Sequence, residues 1–279
     1  MILNYITWNV SKVAFTIPDA VPLLGGHEIR WYGILFATAF IISYWIMTKI
    51  FKYEKQDENL MDSLLMYAII GTVVGARLGH CLFYEPEYYL THPVEILKIW
   101  KGGLASHGAS IGMLISFYLF SKKYKKPFLW TMDRVVIVVA LGGAFIRLGN
   151  LMNSEIFGHV TTLPWGFYFV KAYDPALGLE PRHPTQIYEA LGYFFIFLIT
   201  GYMYLKAKGK PRPGKIFGWF MIMLFTVRFF IEFLKEPQVG FEQNMILNMG
   251  QILSIPFIIA GIVLVYLSNK GKFDYQWKD

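Results

Sequence analysis

The 279-residue sequence is 55% hydrophobic and only 16% charged, with a formal net charge of +7. So much apolar surface excludes an ordinary soluble globular chain and describes an integral membrane protein. The lysines that supply the charge fall in short clusters between apolar segments, the pattern of topology signals rather than of a nucleic-acid-binding surface, and the single cysteine, Cys81, excludes an internal disulfide and a cysteine-cluster metal site.

Residues 1–28 are mixed and aromatic, with Pro18, Pro22 and the pair Gly25-Gly26. They lack the basic start, apolar run and small-residue cleavage site of a removable signal peptide and read as an outer, partly interfacial lead-in. Seven apolar segments follow, at about 29–49, 60–83, 102–121, 129–148, 187–205, 216–234 and 250–267. At 1.5 Å per helical residue these lengths suit the roughly 30 Å of a bilayer's hydrocarbon. Aromatic residues, 18% of the chain, fit belts at both interfaces.

Basic clusters come after the first, third, fifth and seventh segments: Lys49, Lys52 and Lys55; Lys122, Lys123, Lys125 and Lys126; Lys206, Lys208, Lys210, Arg212 and Lys215; Lys270, Lys272 and Lys278. All four fall on one face, which the positive-inside rule makes cytoplasmic. The expected fold is therefore an all-α integral membrane protein with seven transmembrane helices, N-terminus outside and C-terminus cytoplasmic. Its membrane domain spans 29–268, includes a long outer segment at 149–186 with prolines at 164, 175, 181 and 184, and leaves a cytoplasmic tail at 269–279. That outer segment is too long for an idle connector, and long loops carry function.

With this orientation the polar side chains of interest gather in the outer half: Arg30, Tyr32, His80, His107, Arg147, Asn150, Glu155, His183, Arg228 and Glu232. A pore or transporter more often scatters polar groups near the midplane. The densest stretch is Gly142 to Gly158, where Arg147, Asn150, Asn153, Ser154 and Glu155 crowd together as an apolar helix gives way to a polar loop. An arginine is costly in hydrocarbon and pairs there with a carboxylate, a phosphate or carbonyls, or else snorkels to the interface.

Arg228 and Glu232 stand four residues apart on one helix face and can pair. The pair either serves only to carry both residues into the membrane, or leaves Glu232 holding a guanidinium for an anionic lipid head, to which arginine can donate two hydrogen bonds. His107 lies among small residues, from Gly102 to Ser110, and is either a proton-transfer group or a histidine at a tight helix contact. Tyr32 reads as an interfacial belt residue or as part of a site. His183 precedes Thr185, a plausible helix N-cap. Cys81, beside Leu82 and Phe83, reads as a buried, inert thiol. No G-x-S-x-G elbow, H-E-x-x-H helix or P-loop occurs. The scarce aspartates, Asp62 and Asp133 near cytoplasmic ends, do not make an intramembrane aspartic protease.

The segment Arg147-Leu-Gly-Asn150 with Glu155 and Gly158 resembles the signature of the bacterial prolipoprotein diacylglyceryl transferases. The likeness continues in Trp31-Tyr32-Gly33, in Gly102-Gly103 through His107-Gly108, in His183-Pro184-Thr185-Gln186-Ile187-Tyr188-Glu189, and in Arg228-Phe-Phe-Ile-Glu232-Phe, so it covers nearly the whole chain in order. It implies a multi-pass protein of the bacterial plasma membrane, with its active site facing the outer half. The implied reaction moves the diacylglyceryl group of phosphatidylglycerol onto the lipobox cysteine of a pre-lipoprotein signal peptide. A thioether forms and glycerol 1-phosphate leaves. The partners it implies are phosphatidylglycerol, the signal peptide and membrane lipids, with no metal, cofactor or nucleic acid.

Such a reaction has two tasks, forming a thiolate and stabilising charge on the departing phosphate. Arg147 and Arg228 are candidates for the second, and His107 is the candidate base for the first. An arginine-rich site could also lower the thiol's pKa by itself. By the same resemblance Asn150, Glu155, Gly158, Glu232 and His183 would shape the head-group pocket, with Tyr32 lining it. Arg30 stands where some members have histidine, and Leu224 stands where the family has a functional tyrosine. The rival from another class is a lipid or small-molecule transporter, against which stands the lack of any internal repeat. A metal-dependent alcohol-phosphate transferase would need aspartates that the sequence lacks.

Overall fold

The computed structural model describes residues 5–22, 25–99, 102–172, 174–236 and 246–274. The chain is mostly helical: α1 (Trp31–Tyr53), α2 (Glu58–Phe83), α3 (Pro86–Thr91), α4 (Ser106–Lys123), α5 (Phe128–Met152), α6 (Thr185–Lys206), α7 (Lys215–Ile231) and α8 (Met249–Asn269). Among the described residues six helices are long and apolar enough to cross a membrane: Trp31–Tyr53, Asn59–Phe83, Phe128–Met152, Thr185–Lys206, Lys215–Leu234 and Met249–Asn269. The expected third segment is helical as α4 but is not among the six. It begins four residues later than expected, and serines at 106, 110, 116 and 121 together with His107, Lys122 and Lys123 dilute its apolar character.

The lead-in carries short strands that its mixed composition does not announce: β1 (Ile6–Trp8), β2 (Val13–Thr16) and β3 (Glu28–Arg30). β2 pairs antiparallel with β3, Val13 opposite Arg30. β1 pairs in parallel with β4 (Phe167–Phe169) of the long segment after α5, with Ile6 opposite Phe167 and Trp8 opposite Phe169. Strands of three or four residues are too short to display an alternation, which explains their silence in the sequence. Their inner side chains build a small core in which Leu151, Phe157, Phe167 and Phe169 are buried, with Trp8, Leu148 and Ile187 packed against them. Trp8 Nε1 donates to the Leu151 carbonyl at 3.0 Å, which ties the lead-in to the end of α5.

The chain divides into two compact units, residues 47–134 and residues 1–46 with 135–279. In the first, α2 and α4 meet through glycines. A Cβ at Gly75 would lie 2.8 Å from Gly112 Cα, and one at Gly79 2.6 Å from Gly108 Cα, so only glycine permits this approach of the two backbones. Beside it Arg77, 3% exposed, spends its guanidinium on main-chain carbonyls: Nε on Ile96 (2.9 Å), Nη1 on Gly102 (2.7 Å) and Nη2 on Glu95 (2.6 Å). Arg134 pairs with Glu54 at 2.9 Å and stacks on Trp130. Burial pushes Lys126, which donates to Gln56, below the usual lysine value.

In the second unit α7 and α8 pack at Gly218 and Gly261, with Phe225 and Phe257 stacked 4.4 Å apart. α8 opens on a capping box in which Asn248 and Gln251 each accept from the other's backbone N–H.

Candidate functional site

Arg147, Asn150 and Glu155 come together at the end of α5, but not in a loop as their polarity predicts. The helix continues to Met152, so Arg147 and Asn150 are both helical and share a face. The helix ends on Ser154, in the left-handed region at φ +53, with Ser154 N–H bonded to Leu151 O and Glu155 N–H to Asn150 O. This is the Schellman arrangement with serine where glycine is usual. Ile156 is also left-handed, at φ +58, and neither residue relieves strain as glycine would. The turn aims Glu155 back at the helix: Asn150 Nδ2 donates to its Oε1 at 2.8 Å and Asn153 Nδ2 at 3.1 Å. Arg147 Nη1 reaches Asn150 Oδ1 at 3.4 Å. The Tyr32 ring lies on Gly149, where a Cβ would stand 2.7 Å from Tyr32 Cδ2, so Tyr32 covers the helix between Arg147 and Asn150.

The centre of the cluster is Glu189, fully buried on α6. Arg147 Nε lies 3.1 Å from its Oε2, Lys235 Nζ lies 3.1 Å from its Oε1, and the Tyr193 hydroxyl donates to Oε1 at 3.3 Å. Tyr193 also feels the charges of Arg147 and Arg228, and Arg147 feels that of Glu232. Glu189 was legible only as part of the family-like stretch after His183, and Lys235 carried no signal, because a lysine just past an apolar segment reads as a snorkelling end.

The expected pairing of Arg228 with Glu232 does not form. α7 ends at Ile231 and tightens to a 3₁₀ turn over Glu232–Leu234, while Glu232 N–H still bonds Arg228 O as in an α-helix. Its carboxylate is held instead by Lys235 at 3.0 Å and lies against Gly250 in the first turn of α8, where free N–H groups favour a negative charge. Arg228 Nε is buried without a hydrogen-bond partner among the described residues. A guanidinium that keeps a dry, unused donor is ready for an anionic ligand.

Gly158 is where three segments meet. A Cβ there would stand 2.8 Å from both His183 Cβ and Thr185 Cγ2 and would strike the Leu234 carbonyl. Its N–H donates to His183 O (2.9 Å), while His159 N–H donates to Leu234 O (2.8 Å). Thr185 is not the N-cap of α6: Pro184 holds that position, and the buried Thr185 hydroxyl donates to Ile156 O at 2.9 Å. Gln186, also fully buried, donates to Glu155 O at 2.7 Å. Thr185 and Gln186 thus brace the strained turn.

His183 shares Tyr188's hydroxyl with Trp165 (Nδ1 at 3.3 Å, Trp165 Nε1 at 2.9 Å). Burial, and then the neighbouring His159, push His183 below the usual imidazole value, so it is neutral near pH 7. Arg182 donates to Glu236 at 2.5 Å and Leu177 O at 2.7 Å, and His159 Nδ1 lies 3.3 Å from the same Glu236. His107 belongs to the other unit. It is exposed on the first turn of α4. The tight helix contact foreseen for it is made by its neighbour Gly108.

Half-buried arginines, one with a donor unpaired among the described residues, lie with carboxylates on helices long enough for a bilayer and mark a multi-span membrane protein with a polar cluster beside hydrocarbon. Residues 18–267 match the family described as Prolipoprotein diacylglyceryl transferase. Proteins named phosphatidylglycerol–prolipoprotein diacylglyceryl transferase are similar along almost the whole chain. That of Tolumonas auensis is 49% identical over 266 residues, 95% of this chain and 98% of that one. Those of Porphyromonas gingivalis and Chloroherpeton thalassium are 46% and 43% identical, each alignment covering 96% of both chains. The chain belongs to the prolipoprotein diacylglyceryl transferase family.

Proposed function

We infer that the chain transfers the diacylglyceryl group of phosphatidylglycerol to prolipoprotein, and that the cluster around Glu189 is where the lipid's phosphate is held. The reaction forms a bond from the lipobox cysteine sulfur to a glycerol carbon and breaks the bond from that carbon to a phosphate oxygen. The electron pair leaves with the phosphate, giving glycerol 1-phosphate. A diester with one negative charge becomes a monoester with more, so donors aimed at it stabilise the transition state beyond the ground state.

Arg147 and Arg228 supply those donors in this reading. The observation that carries it is the buried Arg228 Nε, without a partner among the described residues, beside a Tyr193 that also feels Arg147, whose Nε pairs with Glu189. Asn150 and Glu155 fix Arg147's neighbourhood, Tyr32 and Gly158 bound the pocket, and Glu232 and His183 complete its rim. His107 is proposed to take the thiol proton, which its exposure allows.

The same reading makes α4 a seventh crossing: its 18 residues span about 27 Å, close to the hydrocarbon thickness. Seven crossings set the basic ends of α1, α4, α6 and α8 on the cytoplasmic face, the N-terminus outside and the site in the outer half of the bacterial membrane. The proposed layout is the outer lead-in at 1–28, the catalytic membrane domain at 29–268 and a cytoplasmic tail at 269–279.

The test uses purified protein in detergent with phosphatidylglycerol and a synthetic lipobox peptide, following glycerol phosphate release and peptide mass. Cysteine-dependent release with the matching mass gain is expected, and Arg147→Ala should abolish it in protein that still folds. No release from folded wild-type protein would refute the activity and bring lipid transport forward. Normal turnover in Arg147→Ala would refute the site.

A further inference from the structure

The cluster contains a third cation that phosphate recognition by two arginines does not explain. Lys235 is 5% exposed, and its ammonium bridges two carboxylates, Glu189 Oε1 at 3.1 Å and Glu232 Oε2 at 3.0 Å. A buried lysine is costly, and nothing about chain termination at the end of α7 requires one. The charge count gives it a purpose. Arg147, Arg228 and Lys235 stand against Glu189 and Glu232, with Glu155 reached through Asn150. Three cations and three carboxylates balance before an anionic lipid arrives. Without Lys235 the carboxylates would exceed the cations by one, at the point where negative charge has to be received.

The geometry adds to the count. Glu189 offers one oxygen to Arg147 and the other to Lys235. Glu232, four residues from Arg228 in sequence, is turned to Lys235 and not to the guanidinium, and Arg228 Nε has no partner among the described residues. A carboxylate in low dielectric takes the nearest available cation. The ammonium therefore takes up Glu232 and one oxygen of Glu189, leaving the other Glu189 oxygen to Arg147. Its backbone is fixed as well: Lys235 bridges to Gly158, and its N–H donates to Glu232 O at 3.3 Å.

We propose that Lys235 is a positioning residue for the transfer reaction, engaging Glu232 and the second carboxylate oxygen of Glu189 so that Glu189 meets Arg147 through one oxygen only and Arg228 keeps a free donor for the phosphate of phosphatidylglycerol. The inference rests on the assignment of the arginines to the lipid phosphate. Lys235 touches neither the lipid nor the cysteine in this scheme; it acts through the two carboxylates.

The test compares Lys235→Met, Lys235→Arg and the double variant Lys235→Met/Glu189→Gln, which removes one negative charge along with the positive one. Turnover is measured with the lipobox peptide. Binding is measured for phosphatidylglycerol and, separately, for diacylglycerol, which has the same chains and no phosphate. Lys235→Met should lower kcat/KM at least about tenfold, the effect of one pK unit of differential interaction. It should weaken phosphatidylglycerol binding while leaving diacylglycerol binding unchanged. Lys235→Arg should stay within about threefold of wild type, since it keeps the charge. The double variant should recover most of what Lys235→Met loses.

A merely structural lysine would weaken both lipids alike, or leave the double variant as impaired as the single one, and either result overturns the proposal. Should Lys235→Met fail to fold, the double variant decides: folded and active supports charge balance, whereas misfolded or inactive refutes it. Arg147→Ala run in parallel separates the two layers. If it retains turnover, the phosphate site itself is wrong. If it is inactive while Lys235→Met binds phosphatidylglycerol and turns over as wild type does, only the role of Lys235 falls.

Discussion

Replacing Gly75 by alanine tests whether the approach of α2 to α4 is set by glycine. The added methyl would stand 2.8 Å from Gly112 Cα and would strike the Gly108 carbonyl. An ordinary carbon–carbon contact is about 3.5–4.0 Å, so the helices must part by roughly 1 Å. Neither obstacle is a side chain that could turn aside. Overpacking of this kind costs roughly 1–3 kcal/mol. Parting the helices also strains the bonds that cross between them, Ala105 N–H to Ala76 O at 2.9 Å and the Ser116 hydroxyl to Tyr67 O, worth about 1 kcal/mol each. The expected loss is therefore about 2–4 kcal/mol, read as a lowered unfolding midpoint in detergent. Gly201→Ala is the control: its methyl meets only Ile137 Cγ2 at 3.9 Å, and alanine favours a helix by about 1 kcal/mol over glycine. If Gly75→Ala unfolds within about 0.5 kcal/mol of wild type, the two helices are not held at glycine distance and the packing argument fails.

Arg228→Lys should lose at least about tenfold in turnover, because a point charge cannot reproduce a bidentate contact with phosphate; wild-type rates in the peptide assay would show that charge alone suffices. Cys81→Ala should remain active, since the thiol is fully buried and direct transfer needs no S-diacylglyceryl enzyme intermediate; an inactive, well-folded variant in the same assay would point to a covalent thioether intermediate. His183 is depressed by burial and by His159, so the unfolded chain binds its proton first as pH falls. Stability should then decline on acidification below the ordinary histidine value of about 6.5 and level off below the folded value. His183→Gln should flatten that decline in unfolding midpoints measured from pH 7.5 to 5, and an unchanged slope would mean the histidine is not the linked group.

What the sequence discloses and what it hides follow from how each residue bears its cost. Arg147 and Arg228 stand out because an arginine inside an apolar run has few explanations, and both prove to be half-buried members of one cluster. Tyr32, Asn150, Glu155 and Gly158 come with them through the family-like motifs, and the structure gathers all four around the end of α5 or the turn beyond it. Glu189 and Lys235 hide for the opposite reason. A single acid near a helix start and a single base after a helix end are ordinary at an interface, and only the fold shows that each is the other's partner. The spacing rule fails for Arg228 and Glu232 although Glu232 N–H still bonds Arg228 O, because Lys235, three residues on, takes the carboxylate instead.

That tightening unites the site's parts. It begins at Glu232, whose N–H still bonds Arg228 O, and ends by setting the Lys235 ammonium on the Glu232 carboxylate. The 3₁₀ turn costs some backbone geometry, yet it returns Glu232 O to the Lys235 N–H and brings the Lys235 backbone against Gly158. Gly158 permits that approach only because it lacks a side chain, and the strained turn at Ser154 and Ile156 delivers it there. The glycine, the left-handed serine and the helix end are thus one device. Together they set Glu232 on Lys235 and leave Arg228 Nε without a partner among the described residues, the donor that the proposed phospholipid head would complete.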